Sequence, residues 1–459
     1  MNIYAGNNTI AAIATPLGVG GVGVIRISGN DSEEIIKKIF SSTLKERKLP
    51  EFKPNRVYYG WIYENNLHPV DEVILLYFKA PKSFTGENIF EIQCHGGVNI
   101  VQKILKLCID NGARLAEQGE FSKRAFMNGK IDLSRAESIL DLIHSKTDTF
   151  SKLSALNLSG RLAEKIYFLR TELINLLSLI IAAVDFPEEV DEPEYNYIND
   201  KILSLINEIE GILNGATASN LMRNGVKAAI VGKPNAGKSS LFNALLDVQR
   251  AIVTDIPGTT RDIIQESVDI EGIPLTLIDT AGLREIKSES DNNYIEALGI
   301  NLTNEAIKTA DIIIYIYDLA KGLTEEDNKI LESIKNRKNL LKVGSKLDLA
   351  QDFSSGAELI KVSSKEKIGL NELKQAVKSV ILSDSTGNDE FCTNLRQQEC
   401  LKNSKKSLLK AVEACNRNEH QDLISIDLKS ALISLGEITG EVVSDEIINN
   451  IFSNFCIGK

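Results

Sequence analysis

Apolar positions set the outline of the chain. Ile10 to Ala14, Gly23 to Ile27, Val57 to Tyr63, Glu72 to Phe78 and Ile89 to Cys94 are short runs rich in β-branched and aromatic residues. Such runs cover a pleated ribbon and read as strands. Ser32 to Phe40 and Val98 to Asn111 shift to a spacing of three and four and read as helices. Residues 1–118 are therefore expected to form a mixed α/β domain. From Glu120 to about Asn220 the spacing is helical. Ile139-Leu140, Ile143, Leu153, Leu156, Leu162, Leu173, Leu176-Leu177 and Ile180-Ile181 recur as long bundle helices require. Asp185-Phe186-Pro187-Glu188-Glu189 ends the run, because proline disfavours helix in the residue before it. Helical spacing returns over Thr393 to Cys415, Asp422 to Gly436 and Ser444 to Phe455.

Helical blocks on both sides of a different segment predict one bundle with a domain inserted into it. The insertion points fall near Asn220 and in the polar stretch Ser383-Asp384-Ser385-Thr386-Gly387. The expected division is 1–118, a helical first part at 119–219, an inserted α/β domain at 220–382, and a helical second part at 383–459. The fold class is multidomain, α/β plus all-α.

The inserted segment carries chemistry. Gly232-Lys233-Pro234-Asn235-Ala236-Gly237-Lys238-Ser239 fits G-x-x-x-x-G-K-S/T, after the strand-like Val226 to Val231 and before the helix-like Leu241-Phe242-Asn243-Ala244-Leu245. In that setting glycines let backbone N–H groups surround phosphate oxygens, Lys238 adds a point charge on the β- and γ-phosphates, and Ser239 can hold Mg²⁺. The loop from Asn235 to Ser240 is the expected triphosphate cradle. Leu275 to Ile278 is an alternating strand ending in Asp279-Thr280-Ala281-Gly282, where a carboxylate can reach Mg²⁺ through water and a glycine N–H the γ-phosphate. Between these motifs, Pro257-Gly258-Thr259-Thr260-Arg261-Asp262 suits a switch segment whose Thr260 hydroxyl completes the metal shell, with Thr254, Asp255 and Ile256 before it as further expected nucleotide contacts.

Gly344-Ser345-Lys346-Leu347-Asp348 is close to the N-K-x-D guanine reader, and Val362-Ser363-Ser364-Lys365 occupies the place of the loop under the base. A carboxylate at Asp348 accepts two hydrogen bonds from guanine that adenine cannot donate, so GTP is the expected nucleotide. Two departures stand out. Ser345 replaces the usual Asn, which predicts a shortened tie to the phosphate loop. Leu283 follows Asp279-Thr280-Ala281-Gly282 where Ras-like switches place a water-orienting glutamine, so that task must fall to another group, a cation or a partner.

With 459 residues, 43% apolar and 25% charged, the chain can core two or three domains. Its net charge of −11 argues against a surface coated for nonspecific nucleic-acid binding. Cys94, Cys108, Cys392, Cys400, Cys415 and Cys456 form no C-x-x-C pair and read as reduced thiols of a cytoplasmic protein. Leu173 to Val184, the most apolar stretch, is too short to span a membrane and reads as a buried helix. Gly18-Val19-Gly20-Gly21-Val22-Gly23 matches G-x-G-x-x-G, but a dinucleotide fingerprint opens a helix and Val24-Ile25-Arg26-Ile27 reads as a strand. A glycine-rich approach to another ligand or to neighbouring backbone is the expectation there.

Further motifs span the chain: Gly20-Gly21-Val22-Gly23-Val24-Ile25-Arg26-Ile27-Ser28-Gly29, Ser83-Phe84-Thr85-Gly86-Glu87, Cys94-His95-Gly96-Gly97, Arg124-Ala125-Phe126-Met127-Asn128-Gly129-Lys130-Ile131-Asp132-Leu133, Asp185-Phe186-Pro187-Glu188-Glu189 and Phe455-Cys456-Ile457-Gly458-Lys459. With them the chain resembles the bacterial and organellar tRNA carboxymethylaminomethyluridine-modification GTPases. Gln118, where that family usually has proline, is a small departure.

The resemblance implies a homodimer with an N-terminal tetrahydrofolate-binding domain, a helical domain and an inserted GTPase domain. It implies a heterotetramer with an FAD-containing flavoprotein that modifies carbon 5 of the wobble uridine of tRNA, with no membrane involved. A 5-formyl- or methylene-tetrahydrofolate would be held by Arg26, Glu87, Lys130 and Lys459. A potassium ion would be held by Asn235, Thr254, Ile256 and Thr259, and Mg²⁺ by Ser239 and Thr260. Glu296 would position the attacking water. Two other readings stay open from sequence: a ribosome-assembly GTPase, which should carry a basic RNA-binding appendage, and a regulatory GTP switch, which would leave the Arg26, Glu87, Lys130 and Lys459 set without a role.

Overall fold

In a computed structural model, residues 9–44, 48–64, 68–248, 265–270, 272–279, 307–335, 337, 339–350, 359–381 and 391–459 are described. The chain forms two compact units. The first comprises Met1–Leu140, Leu158–Arg170 and Leu432–Lys459, the second Asp141–Asn157 and Thr171–Ala431.

The first unit is built on strands β1 (Ile10–Ile13), β2 (Gly20–Ser28), β3 (Phe40–Ser41), β4 (Arg56–Glu64), β5 (His68–Phe78), β6 (Ile89–Gly96) and β7 (Arg114–Leu115) in the order β3-β4-β5-β6-β2-β1-β7. Neighbours are antiparallel except β1 and β7. Helices α1 (Ser32–Ile39) and α2 (Val98–Asp110) bring Ile35, Ile36, Ile39, Ile104 and Leu107 onto Ile25, Ile27, Leu75, Phe90 and Ile92 of the sheet. The glycine-rich run enters strand β2, not a helix. Gly20 pairs with Gly96, where a Cβ would stand 2.4 Å from the Gly20 carbonyl oxygen, so this run meets neighbouring backbone. The strands expected from sequence are present and extend further at several ends, β5 by four residues from Glu72 back to His68.

A smaller core joins helices α3 (Glu120–Met127), α4 (Leu133–Ile143) and the last helix, Asp445–Ser453, through Leu133, Ala136, Ile448, Phe452 and Phe455. It brings the chain's end back to the sheet: Gln118 and Ile457 form a β-bridge, and Gly458 sits at φ 97, where a Cβ would lie 2.2 Å from the Ile13 carbonyl oxygen.

The helical stretches around the second unit are α5 (Asp148–Ser159), α6 (Arg161–Asp185), α7 (Tyr195–Asn214) and α8 (Ala216–Asn224). Its sheet contains β8 (Val226–Val231), β9 (Gln265–Ile270), β10 (Ile273–Asp279), β11 (Ile312–Asp318), β12 (Leu340–Ser345) and β13 (Ile360–Lys361). The order is β13-β12-β11-β8-β10-β9, parallel but for β9 against β10. Helices α9 (Lys238–Val248), α10 (Glu325–Ile334) and α11 (Leu370–Ile381) alternate with these strands, and α12 (Leu395–Asn416), which packs along α7, and α13 (Gln421–Thr439) follow. Asp445–Ser453 is thus α14.

Helix α6 is longer than the apolar stretch Leu173 to Val184 suggested. It is long and apolar enough to cross a membrane, with mean hydropathy 1.6, but only 39% of that window is buried. Leu173, Leu176 and Ile180 are buried while Ile174 and Leu179 are exposed, so the expectation of a buried helix holds for one side only. The six cysteines are free thiols, all buried except Cys456, and burial pushes Cys94 up to about 11 and Cys108 to about 12.

The nucleotide segment does not build its core alone. Phe150 of α5, Met222 of α8 and Cys392 pack with Val226, Leu245, Leu275 and Leu277, and Phe150 is 1% exposed. Thr147 Oγ1 donates to the Gly272 carbonyl in the β9–β10 turn, 2.9 Å away. Phe150→Ala should therefore lower the stability of this unit by about 3–5 kcal/mol, seen as an earlier urea transition for the nucleotide sheet.

Candidate functional site

The phosphate loop leaves β8 at the carboxyl edge of a parallel sheet, where α/β proteins bind ligands. A Cβ on Gly232 would stand 2.2 Å from the Ile316 carbonyl oxygen of β11, so only glycine lets the backbone pass so close. Asn235 takes φ 65 and Gly237 φ 94, left-handed turns on either side of Ala236. Alternation of this kind forms a nest of N–H groups for anions. Lys238 opens α9, and its Nζ donates to the carbonyls of Gly232 and Lys233, 2.7 Å from each. Asn235, Ser239 and Ser240 are exposed. Asp279 closes β10 opposite Ile230 of β8, at the same edge. Thr254, Asp255, Ile256, Pro257, Gly258, Thr259, Thr260, Thr280, Ala281, Gly282, Leu283 and Glu296 lie outside the described residues.

The guanine-reader side joins the phosphate loop directly. The Ser345 hydroxyl, on a 2% exposed residue, lies 2.7 Å from the Ala236 carbonyl oxygen and 3.0 Å from that of Tyr317. The serine, shorter than the usual Asn, still ties this loop to the phosphate loop. Ser345 Cβ lies 3.5 Å from where a Cβ on Gly237 would stand, so a hydroxyl suffices to bridge the gap. Lys346 takes φ 58 and its Nζ pairs with Asp318 Oδ2 at 2.8 Å. Asp348 sits in the short helical turn Leu347–Leu349, and the Ser363 hydroxyl donates to its Oδ1 at 2.6 Å. That hydrogen bond holds the Asp348 carboxyl below its ordinary range and leaves it a fixed, ionised acceptor.

A second polar site occupies the first unit. Arg26 of β2 donates from Nε to Glu91 Oε1 at 2.8 Å and from Nη1 to the Gly458 carbonyl oxygen at 3.3 Å. Its guanidinium lies 5.8 Å from the Phe84 ring centre and 5.6 Å from that of Phe121. Glu87 accepts from Ser28 Oγ at 2.7 Å and from Arg124 Nη1 at 2.9 Å. Lys130 donates to the Pro81 carbonyl at 3.0 Å, and its stem lies 3.4 Å from where a Cβ on Gly86 would stand, beside Glu87. Lys459 is half-buried and follows Gly458, whose carbonyl Arg26 holds. The structure thus gathers all four predicted residues around β2, Gly86-Glu87 and the tail.

It also adds residues the sequence reading did not name as site residues: Ser28, Glu91, Glu120 and Arg124. Glu120 and Arg124 stand four apart on α3, a spacing that could have signalled the pair. Arg124 Nη2 donates to Glu120 Oε1 at 2.9 Å, and Arg114 pairs with the same carboxylate. Burial pushes the Glu120 carboxyl up, but hydrogen bonds from Arg114, the Glu117 N–H and Arg124 outweigh it and hold it below the ordinary range.

Residues 9–130 match the family model described as "GTP-binding protein TrmE N-terminus", and residues 133–456 match "MnmE helical domain". The protein named tRNA modification GTPase MnmE in Desulforamulus reducens is 43% identical over 471 residues, covering 99% of this chain and 100% of the relative. That of Thermoanaerobacter pseudethanolicus is 42% identical, covering 98% and 99%. The chain belongs to the MnmE family of tRNA modification GTPases. It is accordingly a GTP hydrolase of tRNA modification, with the mixed α/β and all-α architecture described above. The G domain of the T. maritima FeoB iron transporter aligns with 34% of this MnmE-family chain and 99% of its own length, at 25% identity and a TM-score of 0.27.

Asp348→Asn replaces an acceptor by an amide that must present a donor to guanine. GTP affinity should fall about tenfold or more, and xanthosine triphosphate, with an oxygen in place of the amino group, should compete better than in the wild type. Glu120 has a folded-state pKa below its unfolded one, so its stabilisation is complete above the ordinary carboxylate value and fades as pH falls through the lower folded value. Glu120→Gln should cost about 3 kcal/mol near neutral pH, with a gap from wild type that narrows in acid when unfolding is measured against pH.

Proposed function

We propose that this chain is a potassium-activated GTPase that, with an FAD-containing flavoprotein, adds an aminomethyl or carboxymethylaminomethyl group to carbon 5 of the wobble uridine of certain tRNAs. The observation that carries the reading is a phosphate loop already shaped around Asn235 and Gly237 and tied through Ser345 to the guanine reader. Family membership supports the tRNA substrate.

In this reading the loop N–H groups and Lys238 meet the triphosphate, while Asp348, aimed by Ser363, accepts the two guanine donors. Ser239, exposed in the first turn of α9, would hold Mg²⁺ with Thr260. Asn235, exposed and left-handed at the tip of the loop, offers an amide oxygen suited to K⁺, with Thr254, Ile256 and Thr259 as the further ligands. The two cations would supply positive charge against phosphate oxygens, in a chain that has Leu283 where Ras-like switches place a glutamine. Glu296 would orient the attacking water, the task Leu283 cannot perform.

The polar site of the first unit suits a tetrahydrofolate. Arg26, Lys130 and Lys459 offer cations to its carboxylates. Glu87, braced by Ser28 and Arg124, offers a fixed acceptor to the amide and amine edge of a pterin. A 5-formyl- or methylene-tetrahydrofolate held there would supply the added carbon. The proposed division is a folate-binding and dimerisation domain at 1–118, helical segments at 119–219 and 383–459, and a GTPase domain at 220–382. It works in the cytoplasm as a homodimer that joins its flavoprotein in a heterotetramer.

Steady-state GTP turnover in K⁺ and in Na⁺ at equal ionic strength tests the cation. The expected result is turnover about tenfold or more faster in K⁺, a difference that Asn235→Ala abolishes. Equal rates in the two salts would contradict the mechanism.

A further inference from the structure

The entry of the phosphate loop is tied to a buried carboxylate. Asp327, in the first turn of α10, is 3% exposed. It accepts from the Tyr315 hydroxyl at 2.7 Å and from the Thr324 N–H and hydroxyl at 2.8 Å each. Its remaining partner is Lys233, whose Nζ lies 2.8 Å from Oδ2. Lys233 Nζ also meets the Thr324 hydroxyl and lies 3.4 Å from Glu326 Oε2.

Capping α10 requires only Thr324 and Asp327. It explains neither a tyrosine hydroxyl aimed at the carboxylate from β11 nor a lysine drawn from the phosphate loop. Lys233 directly follows Gly232, the residue whose backbone grazes the Ile316 carbonyl, so its ion pair fixes the loop where it leaves the sheet. Three residues on, Ser345 holds the Ala236 carbonyl. Between these two ties Asn235 keeps a left-handed backbone, a conformation that a non-glycine residue holds where its surroundings enforce it. A loop ordered in advance spares the nucleotide the cost of ordering it. The same pair turns the Lys233 ammonium toward α10 and leaves the phosphate charge to Lys238.

We propose that Asp327 is a positioning residue for GTP: acting through Lys233, it holds the entry of the phosphate loop in the shape that receives the triphosphate.

The test uses the full chain and measures the affinity of a non-hydrolysable GTP analogue together with KM and kcat, below the unfolding range of every variant. Asp327→Asn and Lys233→Met should each weaken binding about fivefold and raise KM in parallel, with kcat within about twofold of wild type. The double variant should be no worse than the weaker single one, because the two residues act as a unit. Lys233→Arg, which keeps the ion pair, should bind within about twofold of wild type. A folded Lys233→Met chain with unchanged affinity would overturn the proposal. So would multiplicative losses in the double variant, or a fall in kcat with KM unmoved. If Asp327→Asn fails to fold, the contrast between Lys233→Met and Lys233→Arg decides alone.

Discussion

The nucleotide unit depends on how closely the phosphate loop can pass the edge of β11. At Gly232 the two backbones approach until no side chain fits between them, and the loop's remaining geometry follows from that contact. The chain must then turn sharply, which it does through left-handed residues at Asn235 and Gly237. Anion binding by backbone N–H groups is strong only when those groups are already aimed, since reorganising them would consume much of the interaction. Two side-chain ties supply that rigidity, Ser345 on the guanine-reader side and Lys233 on the α10 side.

The first unit solves a different problem, how to hold a carboxylate in place when it is partly withdrawn from water. Glu87 leans on Arg124, Arg124 on Glu120, and Glu120 on Arg114, so each charge is met by an opposite one. Buried charges are tolerated only when paired and hydrogen-bonded. The same logic holds the tail: Arg26 lies near two aromatic rings and takes the Gly458 carbonyl, so the position of Lys459 is set by the sheet beside it.

Much of this was legible in sequence because local signals agreed with tertiary structure. Buried and more exposed positions alternate along much of β2 and β6, and the phosphate loop shows its strand–loop–helix frame. What escaped depends on contacts between distant residues. Nothing in Ser345 announces that β12 lies close enough to the loop for a hydroxyl to replace an amide. Phe150, in a stretch read as bundle helix, fills the core of the nucleotide sheet, which spacing alone cannot assign. The two-residue strands β3 and β7 are too short to carry a period. Thr324-x-x-Asp327 is a capping box in sequence, and only the fold shows that its carboxylate also receives Lys233.

The central claim is that a fixed backbone path at Gly232 makes the triphosphate site. Its most direct test is the affinity of the Gly232→Ala chain for a non-hydrolysable GTP analogue, measured by titration calorimetry beside its unfolding midpoint. The Gly232→Ala chain should fold but bind at least about tenfold more weakly, because the added methyl displaces the loop from β11. Unchanged affinity in a folded chain would contradict it.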